Sequence, residues 1–140
     1  MKVLLINPPS NSPGPIMPLG LAYVAAALET SGISVEVIDA WAEGYSYEDL
    51  GREVYMRQCD IIGITVMSPL YNSGMKTVDI ARKNSNATIV VGGPHPSALP
   101  EECLNGNKDI DFVIIGEGEK AFVELVRSLE NQRKGLDLIK

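Results

Sequence analysis

The sequence contains few of the residues on which metal and thiol chemistry usually depends. Its 140 residues include one histidine and two cysteines, Cys59 and Cys103. The two cysteines lie far apart and neither belongs to a Cys-x-x-Cys pair. This usage favours reduced thiols and a cytoplasmic protein. The spacing also rules out a four-iron cluster in this chain, because such a cluster needs several closely spaced cysteines.

Basic charge and long apolar runs are scarce as well. Twelve Lys and Arg residues stand against eighteen Asp and Glu, a formal net charge of −6. An acidic chain is a poor partner for nucleic acid or for an anionic membrane surface. The apolar runs are far shorter than the ~20 residues that span a bilayer. The opening segment, Met1–Ile6, has the pattern of a strand rather than of a signal peptide.

The chain alternates regularly between apolar runs and amphipathic segments, without a repeat or a linker, and is expected to be one domain over residues 1–140. Most of the apolar runs are continuous, which is typical of parallel strands covered on both faces. The segment Ser34–Asp39 alternates instead, which indicates a strand near the sheet edge. The predicted strands are Val3–Asn7, Ser34–Asp39, Asp60–Val66, Thr88–Gly92 and Phe112–Gly116.

Helical patterns fill the gaps between these strands. Pro18 suits the first turn of a helix over residues 19–31, and Gly32 suits its end. Apolar residues at helical spacing predict further helices after the second, third and fifth strands. A helix around 97–104 accommodates Pro100 poorly, so this segment is expected to be irregular. The alternation predicts an α/β fold with a doubly wound, five-stranded parallel sheet of the Rossmann-like or flavodoxin-like kind.

Two motifs follow neighbouring strands of that sheet. Ser68-Pro69-Leu70 follows the third strand and Gly92-Gly93 follows the fourth. In open parallel sheets ligands bind beyond the carboxyl ends of the strands. A hydroxyl, an apolar contact and a double glycine that permits close backbone approach together suit a large planar cofactor with a polar tail.

The other ligands that such folds carry are poorly matched. A phospho-receiver needs acidic residues after the first and third strands, where this chain has Asn7 and Met67-Ser68. A P-loop is absent. Residues 8–18 include five prolines, which lack the N–H groups that would hold the phosphate of FMN. The segment 116–121 matches the G-x-G-x-x-A of dinucleotide sites, but it follows the last strand, and its two carboxylates would repel a pyrophosphate.

The chain resembles a known family, the N-terminal cobalamin-binding domains of cobalamin-dependent radical SAM enzymes. This group includes the anaerobic magnesium-protoporphyrin monomethyl ester cyclases. The resemblance covers nearly the whole chain. It is carried by an ordered set of segments: Leu4–Pro9, Pro18–Tyr23, Asp60–Thr65, Val91–His95 and Val113–Glu119.

The resemblance implies that the Ser-x-Leu and Gly-Gly motifs line the cleft for the nucleotide tail of cobalamin. Asp-x-His-x-x-Gly, which supplies the cobalt ligand in other cobalamin domains, is missing after the first strand. The resemblance therefore implies that cobalamin is bound base-off, without a histidine ligand from the protein. This chain is expected to supply no metal ligand and no catalytic residue. An iron-sulfur cluster and S-adenosylmethionine would belong to a C-terminal radical SAM domain. The expected cofactor contacts are Asn7, Pro8, Pro9, Met67, Ser68, Leu70, Tyr71, Gly92, Gly93, Pro94, Gly116, Glu117 and Gly118.

Simpler interpretations stay open for several of these residues. Ser68 and Pro69 could only cap a helix, and Gly92-Gly93 could only form a turn. His95 is expected to be a solvated loop residue and Asp39 a helix cap. Trp41 could cover a flat ligand or form a partner surface. Two other functions are also open: a degenerate domain that acts as an interaction scaffold, and a flavin- or nucleotide-binding protein.

Overall fold

The computed structural model describes the backbone of residues 1–139 and the side chains of residues 1–133. Its centre is a five-stranded sheet in the order β2-β1-β3-β4-β5, and every pairing is parallel. The prediction of a doubly wound parallel sheet is confirmed, and so is the edge position of β2. The strands are β1 Lys2–Asn7, β2 Ser34–Asp39, β3 Ile61–Thr65, β4 Thr88–Gly92 and β5 Phe112–Val113.

The helices lie on both faces of the sheet. Three of them are short: α2 follows β2, and α5 and α6 follow β4. A 3₁₀ turn, Ser68–Leu70, connects β3 to the helix that follows it. The helices are α1 Leu19–Thr30, α2 Ala40–Glu43, α3 Tyr47–Arg57, α4 Tyr71–Asn84, α5 Pro94–Ala98, α6 Pro100–Gly106 and α7 Glu119–Ile139.

Each face of the sheet has its own buried core, since alternate strand residues point to opposite faces. Leu5 and Val90 pack with α1 and α7, through residues such as Phe122. Leu4 and Ile62 pack on the opposite face with α3, α4 and α6. β1, β3 and β4 therefore have the double burial that their continuous apolar sequence indicated. The prediction is wrong for β5, which lies at the other edge of the sheet and leaves Phe112 39% exposed.

Two segments differ from the sequence-based expectation. The fifth strand was expected to reach Gly116, but the ladder ends earlier because Gly116 turns the chain at φ +75° and donates its N–H to Ser97 Oγ at 2.8 Å. The segment expected to be irregular forms two short helices that break at Leu99. Each begins at a proline. Proline suits the first turn of a helix, because a backbone N–H at that position would have no partner within the helix.

Within the part of the chain that the structure describes, no helix is long and apolar enough to cross a membrane. The parallel register brings the carboxyl ends of the strands to one edge, where Asn7 is paired with Asp39 and Thr65 with Gly92. This edge carries the loops with the Ser-Pro-Leu and Gly-Gly motifs.

Candidate functional site

A cavity of about 610 Å³ opens at the carboxyl edge of the sheet, on the side of α1 and α7. Its base is formed by strand residues of that face together with Phe122 of α7. The loops after β1, β3, β4 and β5 and the first turn of α1 surround its mouth. The lining is mostly apolar. It includes Leu5, Asn7, Ile16, Met17, Pro18, Leu19, Gly20, Tyr23, Val24, Trp41, Gly63, Thr65, Met67, Val90, Gly92, Gly93, Pro94, Ile114, Gly116, Glu117, Gly118, Glu119 and Phe122.

Gly93 shapes the loop between β4 and α5. Its φ is +109°, a conformation that residues with a Cβ rarely adopt. A Cβ at this position would lie 2.9 Å from Thr65 Oγ1 and 3.0 Å from the Val66 carbonyl oxygen. The loop after β4 can therefore pack directly against the end of β3 only because residue 93 is glycine. At neighbouring Gly92, the nearest atom to an added Cβ would be 3.8 Å away.

The loop between β5 and α7 leaves space on the same side. Gly116 has φ +75°, and a Cβ built there would meet nothing within 4 Å. Glu117 and Glu119 line the mouth of the cavity. Because Glu119 lies in the first turn of α7, its carboxylate interacts favourably with the helix dipole.

The long loop between β1 and α1 is fixed to the strands at its beginning. The Asn7 side chain is buried and donates to Asp39 Oδ1 at 2.9 Å. Asp39 also accepts from the Ala42 N–H at 3.1 Å, which caps α2 as expected. Trp41, which follows this cap, lines the cavity and donates its Nε1–H to the Ser12 carbonyl oxygen at 2.9 Å. The indole thus connects the proline-rich loop to the cavity wall.

Ser68 has a different partner from the one that a helix cap would give it. The 3₁₀ turn and α4 have no side-chain cap at their N-termini. Ser68 Oγ instead lies 3.1 Å from Nδ1 of His95. The expectation of a solvated His95 is wrong, since its exposed fraction is 8%. The ring packs against Tyr71, with 4.6 Å between the ring centroids.

The structure brings together eight of the thirteen expected cofactor contacts in the cavity lining: Asn7, Met67, Gly92, Gly93, Pro94, Gly116, Glu117 and Gly118. The other five are outside the lining: Pro8, Pro9, Ser68, Leu70 and Tyr71. Pro8 and Pro9 are buried at the beginning of the loop between β1 and α1. Ser68 and Tyr71 face His95, on the other side of the edge.

Several lining residues were not singled out from the sequence as contacts. Thr65 ends β3 and lies three positions before Ser68, so Thr65-Val66-Met67 is a second hydroxyl-x-apolar motif. Ile16 and Met17 precede α1 and are largely exposed. The lining residues within Pro18–Tyr23 could have been predicted as contacts, because this segment is among those that carry the family resemblance.

The lining has two carboxylates, and among the described residues it contains no Lys, Arg or His. The first turns of α1 and α7 both border the cavity. Helix N-termini supply free N–H groups and a partial positive charge to a polar ligand group. In the described part of the chain, no cluster of three His, Cys, Asp or Glu residues could hold a metal ion. Cys59 and Cys103 are buried, and burial raises the pKa of both thiols, so they are poor nucleophiles.

Comparison with known proteins identifies this arrangement. The family model for the B12 binding domain matches residues 10–126. An uncharacterized methyltransferase of Pyrococcus horikoshii is 36% identical across 96% of this chain. The anaerobic magnesium-protoporphyrin IX monomethyl ester cyclase of Rubrivivax gelatinosus is 29% identical across 95%. The chain spans 30% and 25% of the lengths of these two relatives.

A solved structure has the same fold over nearly the whole chain. The radical S-adenosylmethionine methyltransferase TsrM from Kitasatospora setae, with cobalamin and a 4Fe–4S cluster bound, superposes with a TM-score of 0.84 at 26% identity. The match covers 94% of this chain and 25% of that protein.

Proposed function

This chain belongs to the B12-binding domain family, and we propose that it is the cobalamin-binding part of a longer radical SAM enzyme of the methyltransferase or oxidative cyclase type. The observation that carries the proposal is the apolar cavity at the carboxyl edge, which opens at the position where sheets of this topology bind ligands. When bound, cobalamin would supply alkyl-transfer or radical chemistry at cobalt, and the chain would supply binding and orientation.

The residues present fit this cofactor. A side chain at Gly20 or Gly116 would project into open space, since a Cβ at either meets nothing within 4 Å. The lining is mainly apolar, with a few polar groups such as Asn7 and Thr65, as is typical of cofactor pockets. We propose that the nucleotide tail of cobalamin enters this cavity. The double glycine would then let it approach the backbone closely.

The expected contacts are retained as proposals, with different degrees of support. Gly92, Gly93 and Met67 line the cavity and are proposed to contact the tail and the lower side of the corrin. Ser68 and Leu70 lie outside the lining, so a contact from them would have to be with the part of cobalamin beyond the cavity mouth. Thr65 joins the proposed contacts because its side chain borders the cavity beside Gly93.

We propose that cobalt receives no histidine ligand from this chain. The described cavity lining lacks an imidazole, and the sole histidine, His95, faces Ser68 and Glu102 instead. Because the nucleotide tail is proposed to enter the cavity, its base would be held away from cobalt. Cobalamin would then be bound base-off, with water or no ligand in place of the base.

The rest of the enzyme is proposed from the relatives. The chain spans less than a third of the curated relatives described above, and Cys59 and Cys103 cannot ligate a four-iron cluster alone. The cluster, S-adenosylmethionine and the catalytic residues would lie in a radical SAM domain C-terminal to this one. A cytoplasmic location belongs to the same proposal and is supported by the two free cysteines.

Titration with hydroxocobalamin tests cofactor binding. After removal of free cofactor, we expect the protein to retain a corrin absorption spectrum with about one cobalamin per chain. A colourless protein would favour the interaction scaffold, and a yellow protein after incubation with FMN would favour the flavin alternative. The carboxylates at the cavity mouth and the shortage of basic groups in the described lining weigh against a phosphate dianion.

Electron paramagnetic resonance of the cob(II)alamin complex tests the axial ligand. We expect no three-line superhyperfine splitting from an axial nitrogen. A splitting that disappears in His95→Ala would contradict the proposal and would make His95 the ligand. A splitting that persists in His95→Ala would show that the cofactor's own base is bound.

A further inference from the structure

His95 holds both neighbours of a residue that lines the cavity. Its backbone N–H donates to the Val66 carbonyl oxygen at 3.1 Å, and its Nδ1 lies 3.1 Å from Ser68 Oγ. The residue between these two partners is Met67, which lines the cavity. One histidine after β4 therefore fixes the chain on either side of Met67, in the loop after β3.

The surroundings of the ring determine which nitrogen carries the proton. Nε2 is buried and has no hydrogen-bond partner among the described residues. The charged group that faces it is the carboxylate of Glu102, whose Oε1 lies 3.9 Å away. An N–H directed at a carboxylate is attractive, whereas a lone pair directed at it is repulsive. The neutral ring should therefore carry its proton on Nε2, which leaves Nδ1 to accept from the Ser68 hydroxyl.

We propose that His95 is a positioning residue for Met67. As the Nε2–H tautomer, the His95 ring accepts a hydrogen bond at Nδ1 from the Ser68 hydroxyl, and its backbone N–H donates to the Val66 carbonyl oxygen. These two bonds hold Met67 at the mouth of the cavity, in the position that contacts cobalamin. This role rests on the proposed cobalamin binding. It assigns His95 a function that requires neither contact with cobalt nor proton transfer.

The tautomer can be tested without cofactor. The chain has a single histidine, so a long-range ¹H–¹⁵N correlation spectrum of the labelled protein contains one imidazole pattern and needs no assignment. In the spectrum of the neutral ring, we expect the pattern of the Nε2–H tautomer. The Nδ1–H pattern would overturn the hydrogen-bond arrangement proposed here.

The positioning role is tested by dissociation constants for hydroxocobalamin. His95→Asn places an amide oxygen near the position of Nδ1 and can still accept from Ser68, whereas His95→Gln places its amide near Nε2 and cannot. We expect His95→Gln and Ser68→Ala to weaken binding about three- to tenfold, the value of one hydrogen bond. His95→Asn should stay within about twofold of the unsubstituted chain, since it keeps that bond. Ser128→Ala, an exposed serine on α7, is the matched control.

A double-mutant cycle separates positioning from general damage to the fold. Met67→Ala should weaken binding by about tenfold or more, because it removes most of a buried apolar contact. If His95 acts through Met67, adding His95→Gln to Met67→Ala should cause little further loss. Additive losses, or a His95→Gln variant that binds like the unsubstituted chain, would overturn the role of His95. Failure of the unsubstituted chain to bind hydroxocobalamin would instead refute the proposed function, and the tautomer measurement would be unaffected.

Discussion

The two sides of the carboxyl edge are built from the same strands but differ in how much space they leave. On the α1 and α7 side, glycines border an open cavity, and a Cβ at Gly116 would meet no atom within 4 Å. On the α4 and α6 side, His95 and Tyr71 pack together, and Gly74 of α4 lies directly on β3's end. A Cβ at Gly74 would come within 2.9 Å of Val66 Cγ2. Glycine thus leaves space for a cavity on one side and allows close packing of a helix on the other.

This difference shows that glycines near the carboxyl edge of the sheet do not share one role. Gly74 allows a helix to approach the sheet, which is a packing role, while Gly20 and Gly116 keep side chains out of a cavity. Gly93 does both, since it brings two loops into contact and also borders the cavity. Substitutions on the two sides should therefore separate effects on stability from effects on cofactor binding.

The largest expected effect is at Gly93, where both roles meet. Gly93→Ala forces a Cβ into a left-handed conformation and into contact with Thr65 Oγ1 and the Val66 backbone. We expect a loss of about 1–3 kcal/mol in the free energy of unfolding from the backbone strain alone. Cobalamin binding should fall by more than tenfold, since a displacement of the loop by even a fraction of an ångström changes the mouth of the cavity. Urea denaturation and hydroxocobalamin titration measure the two effects.

Gly32→Ala is the matched control for that strain. Gly32 also has a positive φ, +78°, but an added Cβ would meet nothing within 4 Å and the residue lies at the far end of α1. It should lose about 1–2 kcal/mol of stability and keep its affinity for cobalamin. Equal losses of affinity in the two variants would mean that Gly93 acts only through overall stability.

A substitution that fills the open side should lower affinity without lowering stability. Gly20 lies in the first turn of α1, lines the cavity and has free space around it. Gly20→Leu should keep or raise the melting temperature, because leucine favours helix more than glycine does. It should weaken hydroxocobalamin binding about tenfold or more, equivalent to about 1.4 kcal/mol.

Two controls bracket the Gly20 result. Ala26→Leu, at an exposed α1 position outside the cavity lining, should leave binding unchanged. Gly74→Ala, on the closed side, should show the reverse pattern, with about 1–3 kcal/mol of lost stability from overpacking and retained affinity per folded molecule. A Gly20→Leu variant with full affinity would show that cobalamin does not bind in this cavity.

The fold could be predicted from the sequence because continuous apolar strands and amphipathic helices are local signals. The ends of elements were less certain. Ile114 still donates its N–H to Val91, yet β5 ends at Val113 because the chain turns towards Gly116. The double glycine could also be placed at the correct edge, since parallel strands bring their carboxyl ends together.

The side on which each loop residue faces could not be predicted. The chain after β3 contains two hydroxyl-x-apolar motifs three residues apart, and only the exact end of the strand decides which one faces the cavity. Thr65 ends β3 and borders the cavity, while Ser68 begins a 3₁₀ turn and bonds to His95. The burial of His95 was equally hidden. It depends on Tyr71, which is distant in sequence, and on α6, which lies in a segment that the sequence predicts to be irregular.

A smaller effect is expected at Trp41, which tests how far the proline-rich loop contributes to the open side. Trp41→Phe removes the indole N–H that donates to Ser12, while most of the apolar wall is retained. We expect a loss of about 0.5–1.5 kcal/mol in stability and a several-fold faster dissociation of hydroxocobalamin. Circular dichroism must follow unfolding, because Trp41 is the chain's one tryptophan. Unchanged dissociation would mean that the loop does not cover the cofactor.

The smallest effect is expected at the two carboxylates of the cavity mouth. Glu119 begins α7 and Glu117 lies two residues before it, so we expect both to act through the dipole of the helix rather than as acids or bases. Glu119→Gln keeps the size of the side chain and should cost about 0.3–1 kcal/mol of stability through the lost dipole interaction, with less at Glu117. The loss should shrink as salt is raised, since exposed charges are screened. A double Gln variant should retain hydroxocobalamin, and complete loss of binding in a variant that remains folded would show that at least one carboxylate contacts the cofactor directly.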